Sequence, residues 1–360
     1  MRRPVAFAAV VVIVLLTLGS PFLKAQFGYP DDRVLRPEQS ARAVGDELRR
    51  DFALNSAGTL DGVAEGSSDA AAVAAYQQRV SRVAGVDAVT GPAGTFADGR
   101  RVARPGEGYA STGAVRFEIT SSVDPFSPAG SRLVHDVRAV DAPWHVHWAG
   151  WSAFNVDALE GLGRSLPLAI ALIALATFVV LFGFTGSVVV PLKALLLNTL
   201  SLSATFGAMV WVFQEGHLSG LLGFTSAGYL VANMVVLMFC LAFGMSMDYE
   251  VFLLSRIREE WVASDRSHDA NTHAVALGLA RTGRIVTAAA ALMAIVFAAM
   301  VSSTVQFMQL FGLGLMLAVL ADATLVRGIL VPAFMRLMGR ANWWAPRPLA
   351  RLHDRFGLSE

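Results

Sequence analysis

Two carboxylates stand where a carboxylate is costly. Asp248 interrupts the apolar stretch 229–254, and Asp322 interrupts the stretch 307–335. An ionisable side chain inside a bilayer-spanning helix costs about 2.5 to 3.5 kcal/mol on insertion scales, so each is a functional candidate by default. Asp248 falls roughly 10 Å inside the end of its helix near Ser255. A carboxyl group in that setting can cycle between its protonated and charged forms, which is the chemistry of proton carriage. Tyr249 beside it can donate to, or accept from, a carboxylate on another helix. The plainer alternative for Asp248 is a fixed hydrogen bond to a partner helix. Glu250 either snorkels or pairs with a basic group, and the charged run Arg256-Ile257-Arg258-Glu259-Glu260 reads as a solvated helix end. Asp322 and Arg327 are five apart and do not share a face of an α-helix, so no ion pair within the helix is expected. One of them meets a different helix, or Arg327 snorkels; structural and functional roles stay open for this pair. His145-x-His147 puts two imidazoles on one face of a strand, but no third ligand has a supporting spacing, so no metal site is expected. There is no GxxxxGK[ST] phosphate loop, and no catalytic constellation points to an enzyme.

The elements that carry these residues follow from composition. Of 360 residues, 54% are hydrophobic and 16% charged, against about 25% charged in soluble chains. That argues for a membrane protein. A net charge of +1 gives no basic surface for nucleic acid. The single Cys240 excludes an intrachain disulfide. Between residues 24 and 164 lie 33 of the 57 charged residues, so two kinds of territory share the chain. With about 20 apolar residues needed per span, six spans emerge: 4–23, 165–192 with a break at 183–186, 194–214, 229–254, and two from the stretch 285–335 divided at 302–306. Arg2-Arg3 followed by an apolar stretch and Leu23-Lys24-Ala25 also fits a secretory signal, but the stretch is longer than a usual signal core. Placing the N-terminus in the cytoplasm puts Arg2, Arg3, Lys193, Arg256, Arg258, Arg266, Arg281, Arg284, Arg336, Arg340 and Arg347 on or near the cytoplasmic side. The outer loops 214–228 and 302–308 hold neither Lys nor Arg.

The outward segment is large enough for one compact domain. Helical spacing covers 37–52, 70–83 and 128–140, and strand-like patterns cover 54–63, 86–89, 114–119 and 144–148, with a Gly, Arg and Pro-rich loop over 91–108 that includes Arg100, Arg101 and Arg104. After the first helix the order is β-α-β-β-α-β, the split βαβ arrangement. The expected fold is an α-helical integral membrane protein with six transmembrane helices and an α+β ferredoxin-like extracytoplasmic porter domain. Its boundaries are 1–25 for the first span, 26–160 for the porter domain, 161–338 for spans two to six with a cytoplasmic segment at about 256–283, and 339–360 for a cytoplasmic tail.

The run Gly244-Met245-Ser246-Met247-Asp248-Tyr249-Glu250-Val251-Phe252-Leu253-Leu254 through Trp261 resembles the MMPL family of the RND transporter superfamily. It contains a Gly-xxx-Asp and an Asp-Tyr pair, while Asp322 to Arg327, Leu330-Val331-Pro332-Ala333 and Asn342-Trp343-Trp344-Ala345-Pro346 resemble that family's last helix and tail. The resemblance runs over essentially the whole chain and looks like the second half of a full transporter. It implies proton-driven export of lipids or other hydrophobic compounds across the bacterial inner membrane. Asp248 and Tyr249 would sit in the proton relay, and Gly244, Glu250, Asp322 and Arg327 would be further intramembrane candidates. Protons would be the coupling ion, with no cofactor. A second half-transporter copy or a complementary chain is the implied partner. Two other classes stay open: an accessory six-helix subunit of protein export similar to SecF, and a non-transporting remnant.

Overall fold

The computed structural model describes residues 4–51, 58–66 and 69–356. Arg2, Arg3, Phe52 and residues 54–57 of the expected first strand lie outside the described residues. The chain forms two compact units, Met1–Phe27 with Arg33–Arg36 and Leu166–Glu360, and Gly28–Asp32 with Pro37–Ser165. In chain order the helices are α1 (Pro4–Gly19), α2 (Ser40–Asp51), α3 (Ala70–Val80), α4 (Pro128–Arg138), α5 (Trp151–Thr185), α6 (Val189–Met209), the single turn α7 (Ser219–Leu222), α8 (Ala232–Val262), α9 (His268–Val301), α10 (Gln306–Ala321), α11 (Val331–Met338) and α12 (Arg347–Phe356).

The first unit is a helical bundle. Among the described residues, six helical stretches are long and apolar enough to cross a membrane: Pro4–Lys24, Trp151–Thr185, Val189–Gln214, Ala232–Val262, Asp269–Val301 and Gln306–Trp343. Helix α6 is the most enclosed, with Val190, Ala194, Leu197 and Met209 buried. Helices α5 and α9 turn Leu168, Leu172, Leu175, Leu292 and Ile295 outward. An apolar face left uncovered by protein along a span is the face a bilayer solvates. The second span ends earlier than its composition suggests. Gly186 adopts φ +65 and donates its N–H to the Phe182 carbonyl at 2.8 Å, which is how glycine terminates a helix. The third span therefore begins at Val189, and Lys193 lies within it rather than between spans. The segment 256–283 is also largely helical: α8 continues to Val262, and Ser267 caps α9 by accepting from Ala270 N–H at 3.1 Å.

The second unit is α+β. Its strands are β1 (Leu60–Glu65), β2 (Ala88–Gly91), β3 (Gly94–Ala97), β4 (Arg100–Ala103), β5 (Ala110–Ser111), β6 (Ala114–Thr120) and β7 (Val146–Ala149). They pair antiparallel in the order β4-β3-β2-β6-β1-β7, with β5 added to β6. Alternation on β6 buries Val115, Phe117 and Ile119 against α3 (Val73, Tyr76, Val80) and α4 (Leu133, Val134, Val137). Both helices have side-chain caps, Asp69 accepting from Ala71 N–H and Ser127 from Gly130 N–H, each contributing about 1 kcal/mol. At Gly62 only glycine fits, because a Cβ there would sit 2.6 Å from the Trp148 indole of the paired strand. The segment 91–108 is not a loop throughout, since β3 and β4 form a hairpin within it. Asp98 and Gly99 take φ 47 and 73, the pair of positive values that an Asp-Gly hairpin turn requires.

Candidate functional site

Helix α8 presents two faces near residue 248. A period of 3.6 residues stacks Gly244, Asp248 and Phe252 along one side and Ser246 with Glu250 along another. Gly244, Asp248 and Phe252 are exposed, and Cys240 and Leu241 extend the same outward stripe. Ser246 and Glu250 are buried. Asp248 is thus a carboxylate on an apolar helix of spanning length that no other described helix covers. Gly244 has open space around it, since a Cβ there would meet nothing within 4 Å.

On the inward side, Asp322 and Arg327 form an ion pair at 2.6 Å, contrary to the expectation from their spacing. The physical reason is local: residues Asp322–Leu330 are π-helical, with Val331 N–H bonded to the Val326 carbonyl. Winding to i→i+5 brings residues five apart onto one face. Ser246 Oγ donates to Asp322 Oδ1 at 2.9 Å, and the Arg327 guanidinium donates to the Ser246 carbonyl. Arg327 also lies over the Tyr249 ring, 5.0 Å from its centroid, while the Tyr249 hydroxyl donates to Met293 Sδ at 3.7 Å. Tyr249 therefore reaches the buried cation through its ring, and its hydroxyl faces a sulfur rather than a carboxylate. A cavity with room for about one water molecule adjoins Ser246, Tyr249, Ala290 and Asp322.

A second inner pair comes from α6 and α8. Lys193 is buried, with Nζ 3.5 Å from Asn342 Oδ1, and Asn342 is itself fixed by donating to the Met335 and Gly339 carbonyls. Lys193 and Arg327 both lie within electrostatic reach of buried Glu250, whose Oε1 has no hydrogen-bond partner among the described residues. Two cations and two carboxylates thus share the interior in formal balance, the condition under which buried charge is tolerated. Sequence reasoning placed Lys193 as a flanking charge. One lysine five residues into a helix gives no local sign that a carboxylate from α8 approaches it.

His145 and His147 lie in the other unit. Their rings are 4.5 Å apart and exposed, at the rim of a cleft of ≈ 550 Å³ with Tyr76, Trp144, Arg138 and Asp157. Among the described residues no group of three potential metal ligands occurs.

The helices bearing Asp248, Asp322 and Arg327, and most of the α+β unit, fall in one continuous match to a known family, the MMPL family, over residues 64–355. The chain belongs to the MMPL family. This MMPL chain is 35% identical, over all of its length, to 38% of the trehalose monomycolate exporter MmpL3 of Mycobacterium tuberculosis. It is 31% identical, over 98% of its length, to 36% of the mycolic acid-containing lipids exporter MmpL11 of Mycolicibacterium smegmatis. A putative membrane protein of Streptomyces coelicolor is 46% identical over 65% of this chain and 32% of its own. The MMPL chain thus spans less than half the length of the curated relatives it matches.

Proposed function

We propose that this membrane protein is one repeat of a proton-motive-force-driven RND/MMPL exporter of lipids or other hydrophobic compounds, with Asp248 and Tyr249 in the proton relay. The observation that carries the reading is the outward position of Asp248 on α8. A carboxylate at that depth facing hydrocarbon costs several kcal/mol, so the stripe through Cys240, Gly244 and Asp248 needs polypeptide cover. A second copy of the repeat, or a complementary half carrying its own Asp-Tyr pair, supplies that cover and encloses the carboxylate in a proton-exchanging interface. The exporter names of MmpL3 and MmpL11 support a lipid cargo. The absence of a phosphate loop motif in the sequence agrees with protons as the coupling ion.

In this reading α1, α5, α6, α8, α9 and the stretch from α10 through α11 span the bacterial inner membrane, with both termini and the arginines at the α8–α9 turn on the cytoplasmic side. The α+β unit is an extracytoplasmic porter domain. Its strand order β2-β6-β1-β7 with α3 and α4 on the crossovers supports a ferredoxin-like core, to which the β3–β4 hairpin is an addition. Asp322, Arg327, Glu250 and Lys193 act as the fixed inner charge set against which Asp248 changes state.

The deciding experiment measures proton flux in proteoliposomes, with the mass of the solubilised complex determined in parallel. Flux that disappears in Asp248→Asn while the complex keeps its mass is the expected result. A well-folded Asp248→Asn protein with normal flux would refute the relay, and an inert monomer of the wild-type chain would refute the self-paired form.

A further inference from the structure

The bundle's arginine-rich end carries a surface that the export reading leaves unused. After α11 the tail does not leave the bundle. Ser187 Oγ donates to the Asn342 carbonyl at 2.5 Å, and Val188 N–H donates to the Trp344 carbonyl at 3.1 Å. Trp343 stacks on Trp261 of α8 with centroids 5.6 Å apart, and its Nε1–H donates to Asn271 Oδ1 at 3.0 Å. Within α12, the His353 ring meets Phe182 edge-on at 5.9 Å, and its Nε2 is 3.2 Å from the Gly183 carbonyl and 3.4 Å from Arg258. Phe182 and Gly183 belong to the last turn of α5, a peripheral span whose sides are bare of protein. Helix α12 is therefore held beside the end of a span, at the level where a bilayer's headgroups lie.

The two sides of α12 differ. Leu349, Ala350 and His353 are half-buried, whereas Arg347, Arg351 and Arg355, each four residues apart, are exposed. Leu352 is 50% exposed between them, and Trp344 at the start of the tail is 57% exposed. From 336 to 356 the sequence holds five arginines and one acid, Asp354. Arginines clustered next to a span attract anionic lipid, and an exposed indole at a span's end belongs at headgroup level. A helix with one basic face and apolar residues beside it lies in the interface plane.

We propose that α12 and the Trp344 turn form a docking surface for the anionic phospholipids of the adjoining leaflet. Arg347 and Arg351 contact the phosphates, and Trp344 and Leu352 insert at headgroup depth. The inference goes beyond export and holds whatever the cargo is.

The test uses the full chain in nanodiscs of phosphatidylcholine, alone or mixed with phosphatidylglycerol. A fluorophore is placed at Leu352→Cys in a Cys240→Ser background. Mixed discs are expected to shield the label from iodide and expose it to quenching by spin-labelled lipid. Arg347→Gln and Arg351→Gln should each weaken the shielded population about five-fold, and high salt should do the same. Equal iodide access in both disc types, or shielding unchanged by the double Arg→Gln variant, would overturn the proposal.

Discussion

Asp248 and Glu250 stand two residues apart on one helix and live in opposite surroundings. Glu250 is enclosed with Lys193, Arg327 and Asp322 in a balanced interior, while Asp248 lies on the exposed face of α8. Asp322 is fixed by a serine hydroxyl and a guanidinium within the chain, and Glu250 has two cations in electrostatic reach. Asp248 is left to whatever covers α8. The helix face therefore decides whether a carboxylate on α8 is enclosed by this chain or left exposed.

That contrast can be broken most forcefully at Arg327. Arg327→Met removes the partner of Asp322 and should lower the stability of the detergent-solubilised protein by about 3 to 5 kcal/mol, read as a fall in thermal midpoint. The double variant Asp322→Leu/Arg327→Met should recover most of the loss, because no charge is then stranded. A single variant as stable as the parent would show that the pair holds nothing together. Next, Ser246→Ala deletes a hydroxyl bonded to a carboxylate and should cost about 1.5 kcal/mol or somewhat more. Asp248→Asn should change stability of the isolated chain by no more than about 0.5 kcal/mol, even though flux is lost. A large destabilisation there would place Asp248 with the inner set and erase the contrast. The smallest effect is expected in the other unit. The Arg42 hydrogen bond, outweighing partial burial, holds the Asp46 carboxyl below its ordinary value. A lowered carboxylate stabilises the fold above its unfolded value, near 4, and the benefit fades as pH falls through the folded value. Asp46→Asn should therefore melt slightly below the parent at pH 7, with the gap closing below about pH 4.

Much of the fold was legible because bilayer spans and amphipathic strands write themselves as runs and alternations. Each of the six apolar stretches overlaps an observed helical stretch, although Trp151–Thr185 and Asp269–Val301 begin more than ten residues earlier than the apolar runs, while the helices at 70–83 and 128–140 and the strand at 114–119 match observed elements within a few residues. The β3–β4 hairpin was missed although Asp98-Gly99 is a readable turn signal, because the surrounding Gly, Arg and Pro content suggested loop. The end of α5 depended on which of two glycines, Gly183 or Gly186, would adopt positive φ, and composition does not distinguish them.

The site was legible in its residue types and not in its pairing. Asp248, Glu250, Asp322 and Arg327 announce themselves as charges in apolar runs, and the Asp-Tyr motif indicates the family. The assumption of uniform α-helical winding hid the Asp322–Arg327 bond, which exists because the backbone there takes a π-helical form. Lys193 gave no signal at all.

The sequence by itself determined six apolar stretches long enough to span a bilayer, the alternation of helix and strand that makes the other unit α+β, and that Asp248, Glu250, Asp322 and Arg327 sit inside spans. These follow from local quantities, run length and periodicity, that need no neighbours. Only the tertiary structure decided that Glu250 faces two cations, that Tyr249 offers its ring to Arg327, and that Asp248 is left outward. A side chain's surroundings come from helices distant in sequence, and their rotation about their own axes is fixed by packing rather than by any residue alone.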